Sequence, residues 1–247
     1  RILVANLYDF DPARDMVPLE AMEEVDRYTL ARYADAARRM ITGYDEYDFP
    51  TVSKELTTLA TVDLSAFYID VTKDRMYTYG AKSQARRSGQ TAMYLMADGL
   101  ARLMAPILPF TADELWRHLP PMVDTGAGEG LPSRRAQWTR RSESVHLEVF
   151  PRVDHLVSPD LQERWARLMA VRDDVNAALE EQRKHKVIGN SLTAKVRIAT
   201  QGAVGTLLEQ YRAQLPTLFI VSDVALDVGP ADPAESTVSP CFSNTVV

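Results

Sequence analysis

Apolar residues return every three or four positions over long stretches of this chain, and that period restricts its first half to packed helices. Between Leu19 and Tyr47 the repeat runs through Met22, Val25, Thr29, Tyr33, Ala37, Met40 and Tyr44, with Glu23 four residues before Arg27 and Asp35 four before Arg39 on the outer face. Pro50 resets the backbone, and a second helix is expected from there through Val52, Leu56 and Leu59. A third starts near Ser83 and carries Thr91, Leu95, Gly99, Leu103 and Ile107 on one stripe until Pro106 and Pro109 end it. In FTADELW, Thr111 is placed to cap a short helix, Glu114 to complete a capping box and Phe110 to staple onto Leu115. Brief connections between such helices predict an antiparallel bundle.

The second helix runs into VDLSAFYIDVTKDRMY at residues 62–77. At about 100° per residue, Val62, Ala66, Ile69 and Met76 form one apolar stripe, and Leu64, Phe67 and Val71 form another on the opposite side. That pattern predicts a central helix buried on two faces. Asp63, Asp70 and Asp74 fall in a row between the stripes, where arginines such as Arg38, Arg39 or Arg102 are the expected partners. Asp63 and Asp70 stand roughly 10 Å apart along the axis, wider than the usual glycosidase carboxylate pair, so an acid/base site is not indicated.

The stretch PPMVDTGAGEGLPSRRAQWTRRS after the bundle has no sustained period and reads as a linker, with SVHLEVF as a short strand. Ser158 and Pro159 open a long helix through Leu161, Trp165, Leu168, Val175 and Leu179, ending near Gly189. SLTAKVRIA alternates as a half-buried strand, residues 203–215 suit a helix, and LFIVSDVAL suits a second strand. The expected fold class is therefore mainly α: an antiparallel bundle followed by a long helix and a small α/β module. The expected domains are a bundle at 1–120, a linker with a short strand at 121–157, the junction helix and α/β module at 158–229, and a flexible tail at 230–247. The opening RILVANLYDF enters on what reads as the last turns of a helix, so a fragment is expected.

Catalytic signatures are scarce. GAGEG has no strand before it and no helix after it, as a phosphate loop would require. His118, His146, His155 and His185 lack metal-ligand spacing, no serine sits in a nucleophile elbow, and the single Cys241 supplies neither a disulfide nor a cysteine cluster for zinc. One cysteine and no long apolar run point to a reducing, cytoplasmic setting away from membranes.

The net charge of −6 argues against general nucleic-acid binding but conceals segregation. Residues 1–71 hold 7 basic and 14 acidic side chains, whereas residues 72–102 hold 6 basic and 2 acidic. Lys73, Arg75, Lys82, Arg86 and Arg87 span the end of one helix, a turn and the start of the next. By charge alone this is either a solvated turn or a surface that neutralises a phosphate backbone.

Five segments, NLYDFDP, VDLSAFYIDVTKDRMY, APILPFTADELW, ESVHLEVFP and HKVIGNSLTAKV, resemble in order and spacing the C-terminal half of bacterial-type isoleucyl-tRNA synthetases. APILPFTADELW is similar in valyl and leucyl synthetases as well, so the narrower likeness rests on the other segments. The resemblance implies an anticodon-binding bundle and junction module, with tRNA(Ile) as partner. It also implies a parent enzyme that attaches isoleucine to tRNA using ATP and Mg. No HIGH-like or KMSKS-like signature occurs, so the fragment is expected to be inactive alone, lacking the catalytic half and the editing domain. The tail does not match the four-cysteine zinc module of many bacterial members, and no cofactor is expected in the fragment. In this light Lys73, Arg75, Lys82, Arg86 and Arg87 are expected on the tRNA backbone, with Lys184, Lys186, Lys195 and Arg197 as a second patch and no role for DNA. The rival readings are the equivalent valyl or leucyl region and a helical protein-interaction module without RNA.

Overall fold

Small residues let helices approach closely, and the first long helix, α1 (Glu24–Asp45), uses this directly. It buries Leu30, Ala31, Ala34, Ala37 and Met40, and a Cβ added at Gly43 would lie 2.9 Å from Val52 Cγ2 of the next helix. The computed structural model describes residues 1–120, 122–123, 138–139 and 141–229, and it divides into two units, Arg1–Pro159 and Asp160–Val247. The fold is mainly helical.

In the first unit, Asp48 caps α2 by accepting from the Thr51 amide at 3.2 Å, with a proline in the first turn. Helix α2 is continuous over Phe49–Thr58, Leu59–Tyr68 and Ile69–Thr78, and its middle third is wound in the wider π form. There the Ser65 hydroxyl donates to the Ala60 carbonyl, five residues back. Leu59 and Leu64, also five apart, consequently share the buried side, followed by Phe67, Tyr68, Val71, Thr72 and Met76.

This corrects the two-stripe expectation. Val62 is 57 % exposed, because a stripe drawn at 100° per residue does not survive the π turns, and α2 buries one face only. The acid row is also paired differently. Asp63 meets Arg32 at 3.1 Å and Asp70 meets Lys73 at 2.8 Å, while Arg38, Arg39 and Arg102 pair with Asp154, Glu55 and Asp98.

The central helix is α3 (Gln84–Met104), opened by Ser83, whose hydroxyl accepts from the Arg86 amide. Nearly every residue from Arg86 to Leu103 is buried, and Ser88, Gly89, Ala92, Ala97, Gly99 and Ala101 keep its surface thin enough to be surrounded. Helix α4 (Pro109–Arg117) starts two residues before the expected cap because Pro109 occupies its first position. Thr111 therefore lies inside the helix, and Phe110 is 91 % exposed rather than stapled. SVHLEVF forms no strand. Asp113 Oδ1 accepts from the Ser144 hydroxyl and the Val145 amide, and Val145–Leu147 closes as a single 3-10 turn. Met122–Val123 pairs antiparallel with Trp138–Thr139.

In the second unit, α5 (Pro159–Lys184) buries Leu161, Trp165, Leu168, Val171, Val175 and Leu179 along one stripe. Strand β1 (Lys195–Thr200) leads through α6 (Gly202–Gln210) and α7 (Leu215–Phe219) to strand β2 (Asp223–Val228), which runs parallel to β1 with Val196 opposite Val224 and Ile198 opposite Leu226. Helix α5 is tied to this crossover by Arg164 Nε to the Tyr211 hydroxyl at 2.9 Å and by Arg172 Nε to the Leu218 carbonyl at 3.0 Å. Leu218 and Phe219, expected in a strand, instead close α7, and Ile220 turns the chain with φ of 57° before β2 begins.

Candidate nucleic-acid interface

The five cations predicted to form one surface do converge at the turn between α2 and α3, yet three of them point inward. Arg75 donates to both oxygens of Asp26, at 3.0 and 2.5 Å, and Asp26 also accepts from the Tyr68 hydroxyl at 2.7 Å and the Ser88 hydroxyl at 2.5 Å. Burial, and then the negative charge of Asp26, hold the Tyr68 phenol far above its ordinary range, so it stays a donor.

Arg86 is 4 % exposed. It grips both oxygens of Asp9 at 2.5 and 3.1 Å and donates through Nε to the Met76 carbonyl at 3.0 Å. Arg87 donates to the Asp9 carbonyl at 3.0 Å and to Gln90 Oε1 at 2.7 Å, with Asp15 at 3.4 Å. Gln90 returns a hydrogen bond to Asp9 at 2.7 Å. Burial raises the Asp9 carboxyl, but the hydrogen bonds from Arg86 and Gln90 and the charges of Arg86 and Arg87 outweigh it and leave it below the usual carboxylate range.

This is a correction to the expected surface. Desolvated guanidinium groups require paired carboxylates, and NLYDFDP supplies them through Asp9 and Asp15. What remains outward at this end is Lys73, half-exposed beside Asp70, and Lys82, exposed with no ion pair among the described residues. The exposed rings of Tyr8, Tyr77 and Tyr79 share the same end. None of these three tyrosines was among the expected site residues; for Tyr77 and Tyr79, which fall between Lys73 and Lys82, that interleaving was the available signal.

The second predicted patch lies within the other unit. Lys184 is exposed beside Glu181 at 3.4 Å, and Lys186 is exposed just past α5. Lys195 and Arg197 alternate onto the open face of β1, and Arg197 lies 3.9 Å from Asp227. Lys195 stands opposite Asp223 in the register, so carboxylates temper that face.

No three His, Cys, Asp or Glu side chains come together as a metal site among the described residues, and no helix there is long and apolar enough to cross a membrane. Cys241 lies outside the described residues.

Residues 26–198, which include α1 to α4, α5 and the start of β1, match the model for the anticodon-binding domain of tRNA ligases. The chain belongs to that family. It is 44 % identical over 228 residues to the isoleucine–tRNA ligase of Syntrophotalea carbinolica, covering 92 % of this chain and 23 % of that protein. It is 42 % identical over 243 residues to that of Geobacter sulfurreducens, covering 97 % and 24 %. With the Geobacillus kaustophilus enzyme the identity is 41 % over 239 residues, covering 96 % and 24 %. The chain thus spans about a quarter of the length of the curated relatives it matches, and HIGH-like and KMSKS-like signatures are absent from it.

Proposed function

We propose that this chain is the tRNA-binding, anticodon-recognising part of an isoleucine–tRNA ligase. The whole enzyme would join isoleucine to tRNA(Ile) in the cytoplasm, with ATP and Mg2+ handled by a catalytic part outside this chain. The chain alone would not catalyse the reaction. On the same reading, 1–120 is the anticodon-binding bundle, 121–157 a linker, 158–229 a junction module and 230–247 a tail.

The observation that carries the proposal is a family match combined with two outward lysines at a bundle end whose arginines are neutralised internally. Lys73 and Lys82 are available to phosphates, and the α3 N-terminus adds its positive dipole end to the same turn. Lys184, Lys186, Lys195 and Arg197 form the second proposed contact. Arg75, Arg86 and Arg87 act as the scaffold.

The test is binding of the chain to tRNA(Ile), tRNA(Val) and a scrambled RNA across a salt series. Preference for tRNA(Ile) supports the proposal, and equal binding of all three defeats it. Replacing Lys73 and Lys82 by Ala should flatten the log–log salt slope by about 1.4 to 1.8, at roughly 0.7–0.9 per phosphate contact.

A further inference from the structure

The lysine-bearing end of the bundle is also its aromatic end. Tyr8 is 82 %, Tyr77 71 % and Tyr79 53 % exposed. Large rings left this open within one small region are uncommon on a surface that meets only water. One guanidinium links Tyr8 to the end of α2 and to the turn that follows it. Arg86 Nη2 reaches the Tyr8 hydroxyl at 3.4 Å, its Nε donates to the Met76 carbonyl at 3.0 Å, and its Nη1 donates to the Ala81 carbonyl at 3.4 Å. The same guanidinium carbon sits 5.8 Å from the centre of the Tyr8 ring. Tyr8, the residue before Tyr77 and the residue before Lys82 are therefore all placed by a single side chain, itself locked by Asp9.

Lys73 and Tyr77 are four residues apart in an α-helical stretch, so they share a face. Lys82 follows Tyr79 within the turn. In the sequence the two lysines flank the two open rings, and all four retain access to solvent.

We propose that Tyr8, Tyr77 and Tyr79 are stacking platforms for unpaired bases of an RNA loop whose phosphates lie on Lys73 and Lys82. This rests on the tRNA-binding reading above and adds how that end holds RNA. Bases inside a duplex have their faces covered by their neighbours, whereas splayed loop bases offer them to aromatic side chains. Stacking on tyrosine is tolerant of base identity and insensitive to salt, while the lysine contacts are steeply salt-dependent. Arg86 is a positioning residue: it orients Tyr8 and the turn without reaching RNA.

The experiment binds the whole 247-residue chain to a tRNA(Ile) anticodon stem-loop and to the same stem extended into a duplex with no unpaired bases, each over a salt series. Tyr77→Leu with Tyr79→Leu keeps apolar bulk and removes the rings. The expected result is a loss of loop affinity of about five-fold or more per ring at every salt concentration, with the salt slope unchanged and duplex affinity unaltered. Tyr77→Phe should keep the affinity. Lys73→Ala with Lys82→Ala should do the opposite, flattening the slope for both RNAs. Loop affinity unchanged in the double Leu variant, or equal losses for loop and duplex, overturns the stacking inference while leaving tRNA binding intact. A parent chain that binds neither RNA overturns both. All three tyrosines are exposed, and an unchanged melting midpoint verifies that the variants are folded.

Discussion

Arg75 and Asp26 form an ion pair from which water is almost wholly excluded: Asp26 has no exposed surface, and Arg75 Nη2 lies 2.5 Å from it. The pair joins α2 to α1, and the Ser88 hydroxyl brings α3 to the same carboxylate. Removing one member leaves the other charged and dry, which costs about 3–5 kcal/mol. Asp26→Ala should lower stability by that amount, and Asp26→Ala combined with Arg75→Met should recover part of it. Denaturant unfolding of the single and double variants measures both values. Equal loss in the two would show that the charge itself does not matter.

Phe67 sits at the end of the π stretch with its ring edge-on to Tyr28, centres 6.1 Å apart, and is buried. Phe67→Ala should cost about 3–5 kcal/mol, read as a drop in the melting midpoint. Val62→Ala, five residues earlier on the exposed side, should stay within about 0.5 kcal/mol. The contrast tests the rotated face of α2, since the two-stripe reading makes both changes severe.

Local signals in the sequence carried much of this architecture. Ser83 before α3 and Pro159 at the head of α5 act through their own backbone neighbours, so they are readable without a fold. The π winding of Leu59–Tyr68 is not local in that sense. It trades i−4 for i−5 bonding where hydroxyls compete and neighbours demand a different face, and a fixed angle per residue hides it. The candidate interface was half legible. Its charge segregation showed in the sequence, but the burial of Arg86 and Arg87 depends on Asp9, 77 and 78 positions earlier. No spacing rule links residues so far apart.

The Asp9 cluster makes stability fall in acid. Asp9 is held below its ordinary range by Arg86 and Gln90 against the upward push of burial. Asp15 is depressed in the same sense: burial raises it, and Arg14, the Asp11 amide and Arg87 lower it further. A carboxyl depressed in the folded state stabilises the fold above its unfolded value, near pH ~3.9, and that contribution disappears as pH falls through the lower folded value. The parent should therefore lose stability steeply below about pH 4. Asp9→Asn should be less stable at pH 7 and show a shallower decline over the acid window. Urea titrations at pH 7 and at successive points below pH 4 measure the two slopes; parallel curves would remove Asp9 from the account.

Lys186 closes α5 in a conformation that suits glycine. Its φ is 57°, its amide donates to the Arg183 carbonyl at 2.9 Å, and the Val187 amide reaches back to Gln182 at 3.0 Å, a left-handed C-terminal cap. The sequence suggested Gly189 as the stop, yet the turn falls three residues earlier, on a side chain that pays roughly 1–2 kcal/mol for the left-handed region. Lys186→Gly should therefore stabilise the second unit by about 1 kcal/mol, raising its melting midpoint. If the exposed ammonium also meets tRNA, the same change lowers the salt slope of binding by about 0.7–0.9, whereas Lys186→Asn should keep much of the cap preference and lose the same charge. Higher stability together with a reduced slope would show that strain is retained here for an RNA contact. Higher stability with an unchanged slope would remove Lys186 from the proposed second contact and leave it to Lys184, Lys195 and Arg197.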